Sequence, residues 1–129
     1  MTVKVMKRFV LQFAPLFVPL FVIARYLEMH LVEIFLPVYD NRGKRFAAAL
    51  YRAERERLVE RFGGLTAHSQ SPARGLWSNK GRTEKDELII FEVMVKKLDR
   101  RWWRAYRRRL EKTFKQKELL VRAHTVTRL

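Results

Sequence analysis

Two glutamates interrupt strand-like runs that are otherwise apolar: Glu33 in LVEIFLPVY (31–39) and Glu92 in ELIIFEVMV (87–95). Two carboxylates brought close push one pKa upward, and such a pair can act as general acid and general base. His68, in LTAHS (65–69), and His124, in ELLVRAHTV (118–126), are placed to join them. Arg122 is placed to neutralise an anionic substrate. The same residues support a plainer arrangement: Arg122 pairs with Glu33 across adjacent strands and His68 pairs with Glu92, each closing a polar pair.

Other chemistry is thinly represented. The chain of 129 residues has no cysteine, which excludes disulfides, thiolate zinc sites and cysteine nucleophiles. No Gly-rich phosphate loop and no serine in a nucleophile elbow occur. The three histidines lack metal-ligand spacing, so neither a metal nor a cofactor is expected. Trp77, in a long polar stretch over 70–86, is a candidate ligand anchor or a ring folded back over an open core.

Charge is the stronger signal. Twenty-eight Lys and Arg against 13 Asp and Glu give a formal net charge of +15. Such an imbalance attracts nucleic acid, anionic lipid or acidic proteins. It is concentrated in LDRRWWRAYRRRLEKTFKQ (98–116), where Arg101, Arg104, Arg108 and Lys115 fall opposite an apolar stripe of Trp103, Tyr106, Leu110 and Phe114. That face suits a phosphate backbone; a solvated helix face is the alternative.

These side chains need elements to position them. Period-two alternation predicts strands over 31–39, 65–69, 87–95 and 118–126. Helical spacing predicts helices over 45–62 and 100–117, the first stopped by Gly63-Gly64 and the second capped by Asp99. Glu54 falls inside the apolar stripe of the first helix (Ala47, Leu50, Tyr51, Leu58, Phe62). Asp40-Asn41-Arg42-Gly43 is a turn. The order β-α-β-β-α-β is an α+β, ferredoxin-like plan with strand order 4-1-3-2 and both helices on one face.

Under that plan Val32, Ile34, Leu36, Val38, Ile89, Phe91, Val93 and Val95 face the helices. The mixed set, including Glu33, Phe35, His68, Glu92 and Arg122, faces away. That second face is too apolar to stand open in water. A homodimer packed sheet to sheet, with a small-ligand pocket near Glu33, Phe35, His68, Trp77, Glu92 and Arg122, is the expected cover. Sheet-based RNA reading is not expected: strand three has no Gly-Phe pattern, Phe91 belongs to the helix-facing set, and Glu92 repels phosphate. A small enzyme using Glu33 and Glu92 is a further alternative.

Residues 1–28 stand apart. An apolar run, FVLQFAPLFVPLFVIA (9–24), follows Lys4, Lys7 and Arg8 and is broken by Pro15 and Pro19. Residues 9–27 fall just short of the ~20 apolar residues of a spanning helix. A signal anchor, a signal peptide cut before Arg25, and a translation start at Met29 all fit. The strand pattern that begins directly after Met29 favours the last, with the protein cytoplasmic. A membrane-anchored protein follows if residues 9–27 are retained.

The pieces LVEIFLPVYDN (31–41), ERFGGLTAHSQSPARGLW (60–77), IIFEVM (89–94) and LDRRWWRAYRRRLEKTFKQ (98–116) resemble a family of small uncharacterised bacterial proteins. More distantly, the layout resembles a bacterial domain of unknown function in which a Gly-Leu-Thr strand precedes a Gly-x-Trp turn. The resemblance runs from about Met29 to the C-terminus. It implies no activity, and it implies an aromatic residue where His68 stands.

Overall fold

The computed structural model describes residues 19–20, 28–70 and 87–129. Six elements follow in order: β1 (Glu28–Pro37), α1 (Ala48–Phe62), β2 (Thr66–Gln70), β3 (Leu88–Val95), α2 (Arg100–Thr113) and β4 (Val121–Thr127). The strands form one sheet in the order β2-β3-β1-β4. β3 runs antiparallel to both β1 and β2. This is the ferredoxin-like plan, with the expected strand order. Met29–Val126 form one compact unit.

The core is built from alternation. Val32, Ile34, Leu36, Phe91, Val93 and Val95 are buried on one sheet face. They pack in one cluster with Tyr51 and Leu58 of α1 and with Trp103, Tyr106 and Leu110 of α2. Both helices therefore lie on the same face. Each of these large apolar side chains contributes about 1.5–3 kcal/mol by leaving water. Phe62 stacks on Trp103 (5.2 Å between centroids) and meets Trp102 edge-on (5.3 Å), so the Trp102-Trp103 pair is core packing between the helices.

Local signals explain most element ends. Gly63 closes α1 at φ 85°, a left-handed position that costs a residue without Cβ little. The Asp99 carboxylate caps α2 by accepting from the Trp102 amide at 3.1 Å. Asp40 organises the turn after β1, its carboxylate accepting from the Arg42 and Lys44 amides at 2.8 and 2.9 Å. Those bonds, the Lys44 amide's first, hold its carboxyl below the usual range.

Four boundaries differ from expectation by three residues or more. β1 begins at Glu28 rather than Leu31. α1 begins at Ala48 rather than residue 45, because the chain first folds back on β1: Tyr39 bridges Arg45 and the Phe46 amide donates to the Val38 carbonyl at 3.0 Å. Ala47 is consequently exposed rather than in the apolar stripe. α2 ends at Thr113, and Lys115 takes a left-handed φ of 50°. Lys115 therefore lies in a turn and not on the helix face with Arg101, Arg104 and Arg108. β4 starts at Val121 rather than residue 118; the Glu111 carboxylate holds the Leu119 amide at 2.9 Å, and the Leu120 carbonyl already accepts from the Phe35 amide of β1 at 3.0 Å.

Among the described residues no helix is long and apolar enough to cross a membrane. The expectations for most of residues 1–27 and for residues 71–86, Trp77 included, lie outside the described residues.

Candidate functional site

The open sheet face gathers five of the residues singled out for chemistry. Glu33 and Glu92 are direct register partners on the central strands β1 and β3. Each is engaged by a basic residue from its outer neighbour. The Arg122 guanidinium donates to Glu33 through Nε at 2.5 Å, and His124 stands 3.8 Å from the same carboxylate oxygen. His68 Nε2 is 3.0 Å from Glu92 Oε1. The Arg122 guanidinium also lies 5.0 Å over the Phe35 ring. Strand order dictates these partners, because β4 borders β1 and β2 borders β3.

The electrostatic consequence is clearest at Glu33. The Arg122 hydrogen bond, aided by the charges of Arg122, His124 and His68, holds the Glu33 carboxyl below the ordinary value of 4.5 against a smaller effect of burial. A general acid requires a shift in the other direction. The face thus favours the cross-strand ion pairs over an acid–base dyad. Ile90, in register between Phe35 and His68, is buried at 3% exposure, while Met94 and Leu120 remain 45% and 51% exposed.

The second candidate region is α2. Its 100° step per residue sorts the arginines into three sets. Arg109 faces α1 and forks onto Glu54, with hydrogen bonds of 3.2 and 3.1 Å to the two carboxylate oxygens. Arg101 and Arg108 point outward and are exposed. Arg100, Arg104 and Arg107 lie on the flank toward β4 and line a cavity of about 260 Å³. Arg104 is also exposed and stands between the outward set and this flank.

No protein-family model matches the chain, and no curated protein matches it. Among solved structures the chain is similar to a phage SAM lyase in complex with S-methyl-5′-thioadenosine. The identity is 12%, the TM-score 0.49, and the alignment covers 78% of this chain and 90% of that one. At that identity no residue or chemistry of that protein carries over to this chain.

Two features were not assigned from the sequence. Glu54 is buried at 2% exposure and accepts from Tyr106 Oη (3.0 Å), Arg57 (2.9 Å) and Arg109. Burial, reinforced by the Glu54 charge, pushes the Tyr106 hydroxyl well above its ordinary pKa and keeps it a donor. A carboxylate within an apolar stripe is the sequence signal for such a clamp; its partners lie 52 and 55 residues away. The cavity flank was missed for a different reason. Arg100 and Arg107 sit at the edge of the apolar stripe, so opposition to that stripe did not select them.

Among the described residues no group of three or more His, Asp or Glu side chains is arranged to hold a metal ion.

Proposed function

We propose that the protein is a nucleic-acid-binding module that engages the phosphate backbone through the outer face of α2. The supporting observation is that Arg101, Arg104 and Arg108 are exposed on one side of this helix, and none forms an ion pair among the described residues. The contrast with Arg109 on the same helix is informative: that guanidinium is neutralised by Glu54. Unpaired arginines projecting from a rigid helix release counterions when they meet phosphates, and this drives sequence-independent binding.

A membrane surface is the less favoured anion. Interfacial helices bury an apolar face in lipid. The apolar stripe of α2 is already occupied, since Trp103, Tyr106 and Leu110 are buried in the core. Binding to a random DNA duplex that weakens steeply with salt, alongside anionic vesicles as a competing surface, tests the choice.

A second reading rests on the open sheet face. Met94 pairs in register with Leu31, and both belong to the face turned from the helices. Leu120 neighbours Phe35, whose amide donates to the Leu120 carbonyl at 3.0 Å. Exposed apolar groups of this kind, rimmed by ion pairs, suit a second copy of the chain packed sheet to sheet. Light scattering on the eluting protein tests it: a dimer supports the reading, and a monodisperse monomer at high concentration removes it. A small enzyme built on Glu33 and Glu92 draws less support, because both carboxylates already have basic partners.

A further inference from the structure

Arg100, Arg104 and Arg107 are separated by four and three residues, so they stand one turn apart along one flank of α2. The cavity they line has an apolar floor that includes Val32, Trp103 and Val121. No carboxylate lines it among the described residues. Glu111 continues the same flank, but its carboxylate is turned to the Leu119 amide. Arg107 Nε is buried and has no hydrogen-bond partner among the described residues. A buried donor without an acceptor is unfavourable, and such groups are rare in folded proteins.

We propose that this cavity binds a phosphate monoester carried on a small flat or apolar body. Guanidinium groups match phosphate oxygens in two-point hydrogen bonds, and three of them suit a dianion. Arg100 and Arg104 are exposed and meet the phosphate directly; the buried Arg107 Nε–H comes within its reach when that side chain turns into the cavity. The Trp103 and valine floor suits a ring or short hydrocarbon beside the phosphate. A volume of about 260 Å³ lies just below the usual range for ligand pockets and suits a small molecule. The proposal shares Arg104 with the backbone-binding reading and is distinguished from it by Arg101 and Arg108, which lie outside the cavity.

Calorimetric titration of the full chain tests it, with phenyl phosphate and inorganic phosphate as probes. The expected result is saturable one-to-one binding of phenyl phosphate, about tenfold tighter than inorganic phosphate, since burying the ring adds an apolar contribution. Arg107→Gln should weaken binding about tenfold or more, as loss of a charged hydrogen bond does. The double change Arg101→Glu and Arg108→Glu should leave it within about twofold, because both side chains are exposed, neither lines the cavity, and solvent and salt screen them. Ala123→Leu adds bulk to the cavity lining without altering charge and should abolish it; this variant decides the matter if Arg107→Gln fails to fold. Competition by a 5′-phosphorylated dinucleotide, but not its 5′-hydroxyl counterpart, assigns the phosphate to a strand end; no competition from either assigns it to a free small molecule. Both support the site. Equal affinity for the two phosphates, or equal loss in the Arg101/Arg108 double variant, would overturn it, because each reports attraction to positive charge in general.

Discussion

Glu54 of α1 and Arg109 of α2 join the two helices by parallel hydrogen bonds of 3.2 and 3.1 Å, beneath which the Tyr106 hydroxyl donates to the same carboxylate. This relationship fixes the rotation of α2 about its axis. With Arg109 directed at α1, Arg101 and Arg108 must point outward and Arg107 must point toward β4. The clamp therefore sets which arginines can meet an anion.

Replacing Glu54 tests the clamp. Glu54→Ala leaves the buried Tyr106 hydroxyl without an acceptor and two guanidiniums without a counter-charge. Arg109 and Arg57 are 41% and 55% exposed and can rehydrate, so the cost falls below that of a fully buried pair. A loss of about 2–3 kcal/mol in urea unfolding is expected. A loss below about 0.5 kcal/mol would mean that the helix pair does not depend on this carboxylate.

Lys115 tests the end of α2. Its φ of 50° is a conformation that most L-residues adopt at a cost. Lys115→Gly should raise stability by about 0.5–1 kcal/mol, the gain reduced by the larger chain entropy of glycine when unfolded. Lys115→Val should lower it, since a β-branched side chain fits that region worst. Thermal melts of the three proteins check the order Gly above Lys above Val.

Glu33 provides a pH test. Its native pKa is depressed below 4.5, mainly by the Arg122 hydrogen bond. The native carboxylate therefore holds its charge to lower pH than the unfolded one does. Its contribution is complete above the unfolded value and is lost as pH falls through the native value. Arg122 is 56% exposed, which limits the pair to about 1 kcal/mol or less. Glu33→Gln should be the less stable protein at pH 7, and the gap should close on acidification below 4.5. A gap that is constant from pH 7 to strongly acid conditions would contradict the ion pair.

Much of this fold was legible because its strands obey a strict alternation. Val32, Ile34 and Leu36 against Glu33 and Phe35 assign two faces without any tertiary information, and the cross-strand pairs Glu33–Arg122 and Glu92–His68 follow from strand order. What escaped depended on contacts distant in sequence. The late start of α1 comes from the Phe46 amide reaching the Val38 carbonyl, against a run of helix-forming alanines. The early end of α2 comes without a glycine signal at Lys115. In the candidate sites, a face-opposition argument found Arg101, Arg104 and Arg108, but it could not show that Arg107 is drawn beneath the flank toward β4. The buried clamp at Glu54 needed Arg109, and only the packing of two helices brings them together.

The central claim is that the outer face of α2 binds a phosphate backbone. The most direct measurement is fluorescence anisotropy of a labelled random duplex titrated with the full chain over a range of salt concentrations. Three exposed arginines predict a slope of about −3 for log K against log salt. In the double variant Arg101→Glu and Arg108→Glu the slope should fall to about −1, with affinity reduced by about tenfold or more at low salt. No duplex binding at low salt, an unchanged slope in the double variant, or binding confined to anionic vesicles would contradict the account.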